Sequence, residues 1–331
     1  MPSSPRTVGI AAAVVTVAIW TGFIVIGRAS AAHTLLPFDI ALLRILGAGA
    51  VLLPWGWLLA RRAAPGQRSL LGFSPLPLRP TLLTGLFGGL VYAILCYAGF
   101  FYAPAAHASV LMPGSLPLWT ALLALPLLGE RISRPRALGL ACIVAGDLAV
   151  GGSGLLSAFD GGQVWKGDLI FMGAAFCWSV YSVLARRFAL DAVRATIAIT
   201  TFAFITYVPV YLLLVATGAV ATRLGAVPVG TVVFQALFQG VGSVVISGIT
   251  FTQMIRSFGP VRSTMITALV PGLSALGAVV FLGEPLSAAL LLGLALVTAG
   301  IVFGVRAAAR APVSVAPAGQ PTAGSDRKPS E

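Results

Sequence analysis

Long apolar runs, each about 20 residues, recur along almost the whole chain, separated by short polar or basic breaks. No shorter period, neither strand alternation nor a helical stripe, dominates them. About 20 apolar residues in a helix cross the ~30 Å hydrocarbon layer of a bilayer. In lipid each backbone polar group must be paired within its own segment, so runs of this length are predicted helices. Ten spans fit, at about 8–28, 40–59, 81–102, 105–128, 136–153, 167–186, 196–216, 232–256, 260–282 and 286–305. The fold class expected is therefore an all-α integral membrane protein with ten transmembrane helices. The run from Ala311 to Glu331 is polar and rich in Pro, Ala, Gly and Ser, the composition of a disordered tail.

The pattern repeats. Leu128-Gly129-Glu130 returns 154 residues later as Leu282-Gly283-Glu284. Ser133, Leu138, Gly139, Leu140, Ala141, Ala145 and Gly146 have identical partners at the same offset, as do Pro117, Ser109 and Gly88. Near the start the offset is 158, pairing Gly9 with Gly167, Trp20 with Trp178 and Arg28 with Arg186. Two halves are expected, 1–153 and 154–310, followed by the tail at 311–331. The apolar run at 8–31 has a partner at 167–187, so it reads as a span and not as a cleaved leader.

Composition and charge sharpen this. Hydrophobic residues make up 58% of the chain and charged residues 9%, against about 25% charged in soluble domains. The net charge of +12 lies in short loops, the arrangement of topology control and not of nucleic-acid binding. With a cytoplasmic N-terminus, all basic loop residues but Arg28, Lys166 and Arg223 fall inside. Both termini are then cytoplasmic. Five spans per half is odd, so the second half enters the membrane from the opposite side. The repeat is expected to be inverted, the construction suited to alternating access.

On Pro117, Leu128-Gly129-Glu130, Gly139 and Ala145-Gly146, repeated as Pro271, Leu282-Gly283-Glu284, Gly293 and Ala299-Gly300, the sequence resembles the EamA branch of the drug/metabolite transporter superfamily. Trp20 and Arg44 fit the same pattern. The resemblance covers about residues 8–305. It implies a central cavity walled mainly by spans 1–4 and 6–9, with spans 5 and 10 peripheral. It also implies movement of a small metabolite, often export of amino acids. The second copy reads Glu284-Pro285 where the first reads Glu130-Arg131, so the two helix ends cannot behave identically.

Candidate site residues follow from depth. Trp20 and Trp178 fall midway along their spans, away from the interfaces where Trp collects. They read as an aromatic wall for substrate or as packing wedges, with Thr21, Ser179 and Tyr181 polar at the same level. Arg44 lies inside span 2, where a charge costs about 2.5–3.5 kcal/mol at the span centre and less near the ends. It either binds a substrate carboxylate or pairs with Asp147 or Asp39. Tyr97, Gln239 and Gln253 line the cavity or bond between helices. Pro113, Pro117 and Pro271 lie within spans 4 and 9 and are candidate hinges. Glu130 and Glu284 read as helix-end groups accepting from free N–H groups of the following helix. His107 is a candidate proton sensor, and Gly85 and Gly89 form a close-packing face.

The chain has no P-loop, nucleophile elbow or metal-ligand spacing. No cofactor, no metal and no nucleic-acid partner is expected, and the chain does not read as an enzyme. Cys96, Cys142 and Cys177 lie in apolar spans as small buried residues. The expected partners are a small-molecule substrate and the lipid bilayer, with proton coupling and a homodimer as further candidates. The expected location is the inner (plasma) membrane. The reading is a transporter of an amino acid or related carboxylated metabolite, tilted toward exchange or facilitated diffusion. Rivals are a transporter of drugs, sugar-phosphates or nucleotide derivatives, and a membrane scaffold or intramembrane enzyme. An anionic substrate such as a sugar-phosphate would want more cavity cations than Arg44.

Overall fold

The computed structural model describes residues 5–64, 66–157 and 161–310. The tail expected at 311–331 lies outside the described residues. The helices follow the apolar runs: α1 (Pro5–His33), α2 (Pro37–Arg61), α3 (Leu78–Phe101), α4 (Ala105–Leu128), α5 (Arg134–Ser157), α6 (Val164–Arg187), α7 (Ala192–Ala216), α8 (Val229–Thr267), α9 (Leu269–Leu282) and α10 (Ala288–Arg310). Helices α1 to α8 are long and apolar enough to cross a membrane, while Leu269–Leu282 and Ala288–Gly304 are shorter apolar helices. α5 runs past the expected division at 153 to Ser157.

Local chemistry sets the ends. Asp39, in the first turn of α2, accepts from the Leu36 backbone N–H at 3.1 Å, and Asp191 caps α7 by accepting from the Arg194 N–H at 3.0 Å. The doubled Leu-Gly-Glu stops α4 and α9 in the same way. Gly129 (φ 68) and Gly283 (φ 66) adopt the left-handed conformation that glycine takes without strain. The next N–H then closes back on the helix, Glu130 to the Ala124 carbonyl and Glu284 to the Ala278 carbonyl, both at 3.2 Å.

Two departures from the expected helices matter. First, α4 is broken into Ala105–Leu111 and Leu116–Leu128. Pro113 lies in the break, and Pro117 is second in the new helix, where a missing N–H costs nothing. In the other half Pro271 is third in α9. The turn expected before span 9 does not interrupt the helix, since Ser247–Thr267 is helical throughout. Proline's fixed φ is itself helical, so Pro260 alone does not end it. Second, α3 and α8 each contain wide π turns, at Gly85–Val91 and Ala236–Ile246. These segments coincide at the 154-residue offset, and π turns inside helices concentrate at functional sites.

The halves interlock through symmetric close approaches. On α5 and α10, a Cβ added to Gly139 would lie 2.7 Å from the Gly300 carbonyl oxygen, and one on Gly300 2.5 Å from that of Gly139. Gly146 and Gly293 meet in the same way, at 2.7 and 2.8 Å. Residue numbers rise on one helix as they fall on the other, so α5 and α10 run antiparallel. α2 meets α8 where a Cβ on Gly47 would lie 2.0 Å from the Ala236 carbonyl oxygen. The counterpart joins α3 to α7, where a Cβ on Gly89 would lie 2.4 Å from the Ile199 carbonyl oxygen. Small residues let membrane helices pack backbone to backbone, where water supplies no drive for association.

Candidate substrate-binding cavity

A cavity of about 620 Å³ lies between the halves, within the usual size for a small-molecule site. α1–α4 and α6–α9 all contribute to its wall, whereas no described residue of α5 or α10 does. The seam of glycines therefore stands behind the cavity.

Aromatic rings build much of the wall, and each tryptophan is set by a ring from the other half. Trp20 lies 5.2 Å from Phe251, centroid to centroid. Trp178 lies 4.7 Å from Tyr92 and 5.0 Å from Tyr181. Gly88, in the π segment of α3, makes room for Tyr181, because a Cβ there would fall 2.5 Å from that ring.

Arg44 also lines the cavity and is only 9% exposed. It is the eighth residue of α2, roughly 10 Å along at 1.5 Å per residue. Its Nη1 donates to the Gln239 carbonyl oxygen at 3.3 Å, and its guanidinium lies over the Phe23 ring at 5.3 Å. The carboxylate pairing considered from sequence does not occur. Asp39 follows the opposite face of α2, because five residues turn a helix by about 140° beyond a full circle. It accepts instead from Thr222 Oγ1 and the Arg223 N–H, both at 2.9 Å, and from the Tyr211 hydroxyl. Asp147 is buried in α5 with both carboxylate oxygens unpartnered. Among the described residues Arg44 has no acidic partner.

Of the other candidates, Trp20, Trp178, Tyr181 and Pro113 line the cavity, while Thr21, Tyr97, Ser179, Gln239, Pro117 and Pro271 do not. Those behind the wall mostly join helices. Tyr97 donates to Gln239 Oε1 at 3.0 Å, bridging α3 and α8. Ser179 accepts from Thr120 Oγ1 at 3.2 Å and donates to the Leu116 carbonyl at 3.3 Å, holding α6 to α4. Thr21 has a buried hydroxyl without a partner. Gln253 Nε2 donates to Ser257 Oγ of its own helix at 3.4 Å. Tyr92, Phe251 and Phe23 complete the wall and were not singled out by sequence. An aromatic residue in an apolar helix carries no mark of which way it faces.

The two ends of the cavity differ. At one end Arg28 Nε donates to Glu284 Oε1 at 3.3 Å and Nη1 to the Phe100 carbonyl at 2.6 Å. Glu284 also accepts from the backbone N–H groups of Ala105 and Ala106, each at 3.0 Å. It thus caps α4 of the other half and not the helix that follows it. The start of α10 is served by Ser287, whose Oγ accepts from the Leu290 N–H at 3.0 Å. His107 Nδ1 meets Asp168 Oδ1 at 2.8 Å near the start of the same helix, so this histidine has a partner in the second half.

At the opposite end Glu130 accepts from Arg186 and, at 3.3 Å, from Arg136. Burial raises the Glu130 pKa, but the hydrogen bonds and charges of Arg186 and then Arg136 outweigh it and hold it below the usual value. This pair is the more exposed of the two: the Arg186 side chain is 57% exposed against 26% for Arg28, and Glu130 29% against 11% for Glu284. The cavity wall reaches the surface beside it, at Arg186, Ala189 and Ala192. Arg28 and Glu284 are absent from the wall.

Comparison with known proteins agrees with this architecture. The sequence pattern of the EamA-like transporter family matches twice, over residues 7–151 and 165–306. The chain is 24% identical over 224 residues to the Bacillus subtilis (strain 168) protein named "Uncharacterized transporter YyaM", covering 67% of this chain and 71% of that one. A solved structure described as "Crystal structure of protein" superimposes with a TM-score of 0.55 at 25% identity, covering 92% of this chain and 99% of the other. With one copy of the family pattern in each half and a cavity between them, the chain is a multi-pass membrane protein that belongs to the EamA-like transporter family.

Proposed function

We propose that the protein carries a small carboxylated metabolite, an amino acid or a relative, across the inner membrane by alternating access, in the direction of export. The two halves act as an inverted repeat of ten spans with both termini in the cytoplasm. The observation that carries this reading is the pair of ion pairs at the two cavity ends. Arg28 and Arg186 are repeat partners, as are Glu130 and Glu284, and each pair joins one half to the other. One pair is partly buried and also tied to a helix N-terminus, while the other is more exposed and lies beside the cavity mouth. Exchanging the conformations of the halves would exchange which pair is shielded and so which side is open.

With the positive-inside orientation the open end faces the cytoplasm, where an exporter loads. Arg44 takes the carboxylate and the aromatic wall takes the body of the substrate. Amino-acid counterflow in proteoliposomes tests this. Wild type should exchange labelled substrate, Arg44→Ala should lose at least tenfold at equal folded yield, and Arg44→Lys should keep part. Full transport by the alanine variant would overturn the role of Arg44. No exchange of any amino acid or other carboxylate would overturn the substrate class.

A further inference from the structure

The cavity wall holds a cation and no anion. Arg44 is buried there without an acidic partner, and no Asp or Glu is among the residues lining the cavity. The other described carboxylates lie outside the wall: Asp168 meets His107 and Asp191 caps α7. Asp39 is bound by the loop after α7, Glu284 by Arg28 and the start of α4, and Asp147 belongs to α5, outside the wall. The other cation of the wall, Arg186, is already paired with Glu130.

We propose that the site selects a monoanionic, aromatic or bulky apolar carboxylate over the zwitterionic amino acid of the same shape. The proposal rests on the transport reading above and narrows its substrate class. A carboxylate brought to Arg44 supplies the counter-charge that the buried guanidinium lacks, in the planar geometry guanidinium favours. Its single charge matches the single unpaired cation of the wall, whereas a phosphate would call for more. The body of the ligand meets the rings of Trp178, Tyr92 and Tyr181, whose centroids are spaced at 4.7 and 5.0 Å, an apolar surface for a ring or branched chain. An α-ammonium gains nothing comparable. It loses its water in a low-dielectric site, finds no carboxylate and is repelled by Arg44. Attraction to ring faces offsets part of that loss, but no acidic group completes a cage.

Three ligands that share a phenylethyl body and differ in which charged groups they carry test this: 3-phenylpropionate, phenylalanine and phenethylamine. Titration calorimetry and thermal shift on the purified full chain should place 3-phenylpropionate at least tenfold tighter than phenylalanine, with phenethylamine unbound. Arg44→Ala should remove the preference for 3-phenylpropionate. Arg44→Lys, which keeps the charge, should bind it in preference to phenylalanine but more weakly than wild type, and serves if the alanine variant does not fold. Equal or tighter binding of phenylalanine would overturn the charge selectivity and leave the transport reading standing. Failure of both carboxylates to bind would instead overturn the substrate class on which the proposal rests.

Discussion

Arg28 and Glu284 lie 256 residues apart in the chain and 3.3 Å apart in the fold. Between them they bind the end of α3, through the Phe100 carbonyl, and the start of α4, through the Ala105 and Ala106 N–H groups. One carboxylate thus neutralises a cation and caps a helix of the opposite half, and in the proposed cycle this is the seal at one end of the cavity. Hydrogen bonds to charged groups contribute about 1.5–3 kcal/mol each, so losing this charge shifts a two-state equilibrium by an order of magnitude or more. Glu284→Gln should loosen this end. Labelling of Ala93→Cys, in a background lacking the three native cysteines, by an impermeant thiol reagent added outside should rise at least tenfold over the same protein with Glu284 intact. Unchanged labelling would show that the ion pair is not the seal.

The pair at the other end is more exposed and depends on pH. Arg186 and Arg136 hold Glu130 below its ordinary value of 4.5, so the folded state binds its proton less readily than the unfolded chain does. The resulting stabilisation is complete above pH 4.5 and disappears as pH falls through the lowered folded value. An accessible pair of this kind contributes under about 1 kcal/mol. The thermal stability of wild type should exceed that of Glu130→Gln slightly at pH 7, and the difference should shrink as pH falls below 4.5. A difference that grows on acidification has the wrong sign for this pair.

The glycine seam of α5 and α10 separates architecture from transport. At Gly300 an added methyl meets the Gly139 carbonyl and the backbone of Ile143, neither of which can swing aside. Overpacking of this sort costs about 1–3 kcal/mol. Gly300→Ala should lower the melting temperature yet leave flux per folded molecule near wild type, because neither helix lines the cavity. Loss of flux with unchanged melting would place α10 in the transport path.

Gly88 should behave in the opposite way. Its missing side chain is the space occupied by Tyr181, and Tyr181 forms part of the wall. Gly88→Ala should push that ring into the cavity, raising the substrate KM severalfold with folded yield nearly unchanged. Unchanged transport kinetics would remove Tyr181 from the substrate surface.

Much of this was legible before any coordinates. The 154-residue offset delivered two halves, and Gly139, Gly146, Gly293 and Gly300 were visible as equivalents. Their crosswise meeting was not, because a repeat states equivalence and not contact. Depth along a span can be read from residue number, so Trp20, Trp178 and Arg44, which line the cavity, could be singled out. Direction around a helix is harder in a chain apolar on every face. That is why Tyr97 and Gln239 were left between lining the cavity and bonding between helices, of which the structure shows the second, and why Tyr92 and Phe251 were overlooked. The π segments add to the difficulty, since each shifts the facing of every later residue on its helix. Glu284 was expected at the helix that follows it, but Ser287 serves that helix, which leaves the carboxylate for α4.

The account stands on opposite motion at the two ends, and spin-label distances measure it directly. One label pair would bridge the Arg28–Glu284 end, at Tyr102 and Leu286, and a second the Glu130–Arg186 end, at Arg131 and Ala189; all four positions are exposed. Each pair should show two distance populations, and a bound carboxylate should shift them in opposite senses, one end lengthening as the other shortens. A single population at both ends, or two ends that lengthen together, would contradict alternating access.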